Sequence, residues 1–260
     1  MDDEPRDDAA AAALGAPRFS IEVRNLTKSF AELRAVDDIS FSIASGETAA
    51  LLGANGAGKT TTIAMLIGLL IPDSGAITVL GEDMLRHRHR VLGRINLSSP
   101  YIDMPRRLTV EENLKVFARL YGLGNIAARI EELAEELDMG ALLRRPSGTL
   151  SSGQHSRMAL AKALINKPEV VFLDEPTASL DPDTADRIRT YLMDYQAREN
   201  ATIFLASHNM AEVERMCTTV MIMKGGRIER SGSPRQLIEH FGRANLEEVF
   251  LDIARARGAQ

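Results

Sequence analysis

The run GANGAGKT at residues 53–60 constrains this chain more than any other stretch. It fits the pattern G-x-x-x-x-G-K-T. The apolar run TAALL precedes it and TTTIAMLIGLL follows it, so the local order is strand, glycine-rich loop, helix. Glycines let backbone N–H groups turn inward around phosphate oxygens, because a Cβ would block the approach. The predicted cradle is Gly53, Ala54, Asn55, Gly56, Ala57 and Gly58. Lys59 carries a mobile positive charge to the β and γ phosphates, and Thr60 offers a hydroxyl to Mg²⁺. Thr61 sits in the first helical turn, where the helix dipole favours an anion.

VVFLDE at residues 170–175 supplies a second half. Four apolar residues describe a strand buried on both faces, and two carboxylates stand at its carboxyl end, where ligands sit in parallel sheets. Asp174 is the hard oxygen ligand expected to hold Mg²⁺. Glu175 is the expected general base for an attacking water. The alternative for Glu175 is a cap on the next turn. Pro176 ends the strand under either reading. No Asn-Lys-x-Asp stretch specifies a guanine base, so ATP is the expected nucleotide.

Composition narrows the class. A net charge of −5 argues against a protein that works by neutralising nucleic-acid phosphates. The single cysteine, Cys217, excludes an internal disulfide framework, fits a reducing compartment and reads as a small core residue. The longest apolar run, near residues 63–71, is interrupted by Gly68 and falls short of the roughly twenty residues a membrane helix needs. Residues 1–18 are acidic and then alanine-rich, unlike a secretory signal, and are read as a disordered tail.

Strands are expected at Phe19, Ile21 and Val23 and at Ile39, Phe41 and Ile43, where apolar residues alternate. The helix after the phosphate loop is expected to run until Pro72 stops it. Residues from about 100 to 160 change to helical spacing, with a Thr109/Glu112 capping box and a second helix from Asn125. TIFLAS at 202–207 is another two-faced strand. Asp181-Pro182, Ser233-Pro234 and Asn245 each begin a helix, and Lys-Gly-Gly-Arg at 224–227 makes a hairpin turn. The basic run LRHRHR at 85–90 reads as a solvated helix face.

TLSSGQHSRM at 149–158 raises a further question, because it opens a second helix with small polar residues. Ser151 and Gln154 make a capping box, fixing a helix N-terminus that favours a phosphate. One chain therefore carries two phosphate-favouring elements far apart in sequence.

With LSSGQ added to GANGAGKT, VVFLDEP, SLDP at 179–182 and His208 after TIFLAS, the chain resembles the nucleotide-binding subunit of an ATP-binding cassette (ABC) transporter. The resemblance covers residues 19–232. It implies an α/β P-loop NTPase fold with a mixed central sheet, an N-terminal antiparallel β subdomain and an inserted helical subdomain. Residues 233–260 then read as a C-terminal helical extension. It also implies a homodimer or heterodimer of ATPase subunits, head to tail, in which Ser151, Gly153 and Gln154 of one copy cover the nucleotide of the other. Phe30 matches the family's adenine-stacking aromatic, His208 the residue that touches the γ-phosphate, and Asp181 the loop between the two sites. The catalytic set so implied is Glu175, His208 and Lys59, and the cofactors are ATP and Mg²⁺. The partner implied is an integral membrane permease, which would hold the chain peripherally on the cytoplasmic face of the cell membrane; no nucleic acid is expected. Arg106 and Arg107 match the segment that faces the permease. ANLEEVFLDIARA near the end resembles the exporter branch. One position departs: the family's glutamine near the end of the strand after the phosphate-loop helix falls at about Ser99, too short to span the same distance. The alternative function is a soluble ATPase of the family acting in DNA repair or translation. Those usually carry a coiled-coil insert or two cassettes, and this chain has neither.

Overall fold

The computed structural model describes residues 19–99, 104–178 and 180–255. The expected tail at 1–18 and Ser179 of the SLDP run lie outside the described residues.

The first two strands, β1 (Phe19–Phe30) and β2 (Leu33–Ala44), pair antiparallel, with Ile21 opposite Ile43 and Val23 opposite Phe41. With β4 (Ser74–Val79) and β5 (Glu82–Asp83) they form a sheet in the order β2-β1-β4-β5. A second sheet has the order β10-β9-β3-β8-β7-β6. Its strands are β3 (Thr48–Leu52), β6 (Ile95–Ser98), β7 (Val170–Asp174), β8 (Thr202–Ser207), β9 (Thr219–Lys224) and β10 (Arg227–Gly232). The neighbours from β9 to β6 run parallel, and β10 is an antiparallel edge. The sheet is therefore mixed, as expected.

The parallel strands are apolar on both faces because each face meets a different core. Ala50, Leu52, Val171, Leu173, Ile203 and Leu205 join the helical side. Ala49, Leu51, Val170, Phe172, Phe204 and Ala206 join the side shared with the antiparallel sheet. The alternation is the period of two of a strand. Phe41 stacks on Phe204 at 5.8 Å, fastening the two sheets together.

The helix after the phosphate loop, α1 (Lys59–Leu66), ends earlier than expected. Pro72 does not stop it. Gly68 does, at φ +74°, with its N–H donating to Met65 O and that of Leu69 to Ala64 O. Leu69 and Ile71 consequently leave the helix and are exposed.

Helices α2 (Val110–Leu120) and α3 (Ile126–Glu136) follow, and the Thr109/Glu112 capping box is formed. Leu120, at the end of α2, is exposed. Helix α4 (Ser152–Leu164) opens on Ser151, whose hydroxyl accepts from Gln154 N while Gln154 Oε1 accepts from Ser151 N. Its far end is tethered. The buried Arg129 guanidinium donates to Leu164 O at 2.5 Å and to Ile165 O at 3.1 Å, meeting the negative end of the α4 dipole.

Helices α5 (Pro182–Glu199), α6 (Met210–Met216), α7 (Pro234–Phe241) and α8 (Leu246–Arg255) complete the chain. Lys224 donates to Ile253 O and Ala254 O, anchoring the end of α8 to β9. The LRHRHR run is not a helix face. Residues 88–90 form one 3₁₀ turn, and the cluster is held by ion pairs of Arg90 with Glu82 and of Arg86 with Asp83, and by Arg88 donating to Gly68 O, with His87 Nδ1 3.6 Å from Glu82.

Candidate functional site

Sheet order gathers the site. β8 lies between β3 and β7, and all three run parallel. Their carboxyl ends therefore deliver the phosphate loop, Asp174 and Glu175, and His208 to one edge of the sheet. A cleft of about 440 Å³ lies there. Phe30, Asn55, Gly56, Ala57, Gly58, Lys59, Thr60, Thr61, Asp174 and Glu175 line it.

Local sequence shapes the loop. Gly58 stands at φ +109°, and a Cβ there would overlap Ala35 O and come within 2.6 Å of Met223 Cε. Lys59 is buried at the start of α1, and its ammonium donates to Gly53 O at 2.6 Å and Ala54 O at 3.3 Å. Burial pulls the Lys59 pKa down, while Glu175 and Asp174 pull it back up. Both effects follow from one cation held in a partly dry cleft beside two carboxylates.

Asp174 is buried, and its Oδ2 accepts from Thr60 Oγ1 at 3.2 Å and lies 3.5 Å from Ser99 Oγ. Burial raises its pKa and Glu175 adds to the rise, whereas Thr60, Lys59 and Ser99 oppose it. A buried carboxylate flanked by hydroxyls is a hard-oxygen set of the kind Mg²⁺ takes. Ser99 thus falls beside Asp174.

Glu175 does not cap the next turn with its side chain. Its backbone takes φ +52°, in the left-handed region, and its N–H donates to Ala206 O at 2.9 Å. Pro176 disfavours the right-handed helical region for the residue before it. The turn swings Glu175 away from Asp174 and toward β8. There its Oε1 lies 2.7 Å from Nδ1 of His208. Strained backbone of this kind costs about 1–3 kcal/mol and clusters at functional sites.

Phe30 is 47% exposed at the rim of the cleft, with Lys28 Nζ 5.7 Å from its ring centroid. It is not a core aromatic. Of the LSSGQ residues, Ser151, Gly153 and Gln154 are not among those lining this cleft. Ser152, His155 and Ser156 on α4 instead line a separate cavity of about 190 Å³ shared with Ser99, Asp174 and Glu175. Gln154 Oε1 is engaged locally by Ser151 N and Arg145. Asp181 is exposed, and its carboxylate caps α5 through Thr184 N at 3.0 Å, which holds its pKa down.

The sequence of residues 36–178 matches the family model described as ABC transporter. The chain belongs to the ABC transporter family. A relative, the Nod factor export ATP-binding protein I of Ralstonia nicotianae, is 37% identical over 89% of this chain and 73% of its own length. A solved ATP-binding subunit of an ABC transporter is 28% identical, with a TM-score of 0.82 over 90% of this chain and 99% of that one. An ATP-binding cassette solved as a dimer in a post-hydrolysis state with ADP and Pi shares the fold at a TM-score of 0.77 and 21% identity, over 82% of this chain and 98% of its own. As the ATP-binding subunit of an ABC transporter, the chain is an ATPase. No helix among the described residues is long and apolar enough to cross a membrane.

Two buried residues around this site carried no sequence signal. Lys162 on α4 donates to Asn96 Oδ1 and to Leu97 O on β6, with the Phe117 ring of α2 beneath it. Glu212 on α6 accepts hydrogen bonds from Thr177 and Ser207.

Proposed function

We propose that the chain hydrolyses ATP in two composite sites of a head-to-tail dimer, and that closure and opening of the dimer drive a separate membrane permease, in the export direction. In this reading Phe30 stacks on adenine. The backbone N–H groups of residues 53–61 and the Lys59 ammonium hold the phosphates. Glu175 takes a proton from the attacking water, and His208 orients Glu175. Nδ1 of His208 is engaged by Glu175, so a contact with the γ-phosphate would require an Nε2–H donor, with both ring nitrogens protonated. Thr60 and Asp174 would hold Mg²⁺, which when bound neutralises phosphate charge.

The observation that carries the dimer is the position of LSSGQ. The Ser151–Gln154 capping box builds a helix N-terminus suited to phosphate, yet Ser151 and Gly153 are absent from the lining of the chain's own cleft. A second copy supplies the partner for that helix end. Export as the direction is supported by the name of the Ralstonia relative and by the terminal ANLEEVFLDIARA run. A position at the cytoplasmic face, with Arg106 and Arg107 toward the permease, completes the reading.

The test is a disulfide between copies. Cys217 is buried, so engineered thiols report cleanly. Chains carrying Ser151→Cys are mixed with chains carrying Asn55→Cys, both with Glu175→Gln to hold ATP. An ATP-dependent crosslinked dimer is expected. Absence of the crosslink at saturating ATP overturns the composite site.

A further inference from the structure

The Glu175–His208 contact is short, but the imidazole is 58% exposed, so packing does not fix it from the solvent side. What fixes the pair must act through the chain segments that carry it. On the near side this is the bond from Glu175 N to Ala206 O. On the far side stands Glu212, 1% exposed on α6. Its two carboxylate oxygens serve two different segments. Thr177 Oγ1 donates to Oε1 at 2.7 Å, and Ser207 Oγ donates to Oε2 at 3.0 Å.

Thr177 is two residues beyond Glu175, and Ser207 immediately precedes His208. Both hydroxyls are buried. Ser207 Oγ also accepts from Asn209 N at 3.0 Å, and Asn209 Oδ1 accepts from Glu212 N at 3.1 Å. The Ser207 hydroxyl proton is thereby directed at the carboxylate, and the start of α6 is fixed on the same network.

A buried carboxylate is costly, and burial pushes the Glu212 pKa up, with the two hydroxyls and the Arg189 guanidinium opposing. An apolar side chain of similar size fills such a place at lower cost. The charge therefore suggests a task other than filling space. A carboxylate with both oxygens committed is suited to holding two loops at a set separation.

We infer that Glu212 is a positioning residue for ATP hydrolysis: it spans the segment after Glu175 and the segment before His208, and so keeps that pair in register. The inference rests on the proposed roles of Glu175 and His208. It assigns Glu212 no contact with nucleotide.

The test uses the purified full chain and steady-state ATP hydrolysis. Glu212→Ala is expected to lower kcat by about tenfold or more, as small misplacements of a catalytic group do. KM for ATP and the affinity for a fluorescent ATP analogue are expected to stay within about threefold, because Glu212 lies off the cleft lining. Glu212→Gln keeps the volume and one acceptor oxygen and is expected to recover part of the loss. In a His208→Ala background, adding Glu212→Ala is expected to cost less than about twofold more, since the pair is already broken. Thr177→Val and Ser207→Ala, which leave the carboxylate in place, are each expected to lower kcat at unchanged KM, and they carry the test if Glu212→Ala does not fold.

Wild-type kcat in Glu212→Ala, or in both hydroxyl variants, overturns the inference. So does a full additional loss in the His208→Ala background, which marks Glu212 as acting on the fold alone. Wild-type kcat in His208→Ala overturns the proposed pair itself, a separate failure.

Discussion

Nδ1 of His208 lies 2.7 Å from Oε1 of Glu175, across the ends of two neighbouring parallel strands. The contact joins β7 to β8 at the edge where the phosphate loop also emerges, and it gives the carboxylate a fixed direction. Replacing Glu175 by glutamine keeps the shape and removes the proposed base. We expect Glu175→Gln to lose about two to four decades of kcat. ATP affinity is expected to hold, because the proposed phosphate contacts lie on the loop. Phosphate release and titration with a fluorescent nucleotide measure the two quantities separately; weakened binding at unchanged kcat would contradict the assignment.

Phe30 tests base recognition without disturbing the fold. Its ring is about half exposed, so removing it leaves no core cavity. Stacking of one base on an aromatic contributes about 1–3 kcal/mol. Phe30→Ala is therefore expected to raise KM for ATP by about five- to 150-fold with kcat nearly unchanged. Thermal unfolding without nucleotide should not move. A KM equal to that of wild type would show that the ring does not meet the base.

Gly58 and Gly56 separate crowding from backbone strain. Both have positive φ, but a Cβ at Gly58 overlaps Ala35 O, whereas one at Gly56 meets nothing within 4 Å. Gly56→Ala is expected to cost about 1 kcal/mol, the left-handed penalty alone. Gly58→Ala must also push the loop away from β2, and is expected to destabilise by several kcal/mol or to displace the loop enough to abolish nucleotide binding. Calorimetry and nucleotide titration distinguish these results, and equal behaviour of the two variants would refute the close approach.

Lys162 predicts a pH dependence of stability. Burial pushes its ammonium pKa down to about 8, from 10.5 in the unfolded chain. Below pH 8 both states bear the charge and the native state carries the full penalty of burying it. Between about pH 8 and 10.5 the unfolded state binds more protons, so this residue's contribution improves as pH rises. Tyr191, Tyr195 and Cys217 act oppositely at alkaline pH, because burial raises their pKa values. The comparison must therefore be made with Lys162→Met, which leaves those groups in place. Urea unfolding at pH 7 and pH 10 should show wild type gaining on the variant, and a constant difference would contradict the shifted pKa.

Much of the site was legible because its signals are local. The cradle at 53–61 depends on glycines and a lysine within one turn of each other. The capping boxes at Thr109/Glu112 and Ser151/Gln154 each span four residues and form as read. The strands at 170–174 and 202–207 announced themselves by apolar runs with no polar face. The end of α1 departs from expectation because a left-handed glycine can close a helix before a proline is reached, and Gly68 does so.

By itself, then, the sequence determined which segments become strand, loop and helix, and which residue types could touch a nucleotide. Those choices rest on backbone sterics and on hydrogen bonds between near neighbours. Tertiary structure alone decided that β8 inserts between β3 and β7, bringing His208 onto Glu175 although they stand 33 positions apart. It alone decided that Glu212, Lys162 and Arg129 are buried against backbone and hydroxyl partners. Strand order is set by burying both faces of the sheet at once, and a buried charge is satisfied by whatever groups the packing brings to it; neither leaves a mark within one turn of the chain.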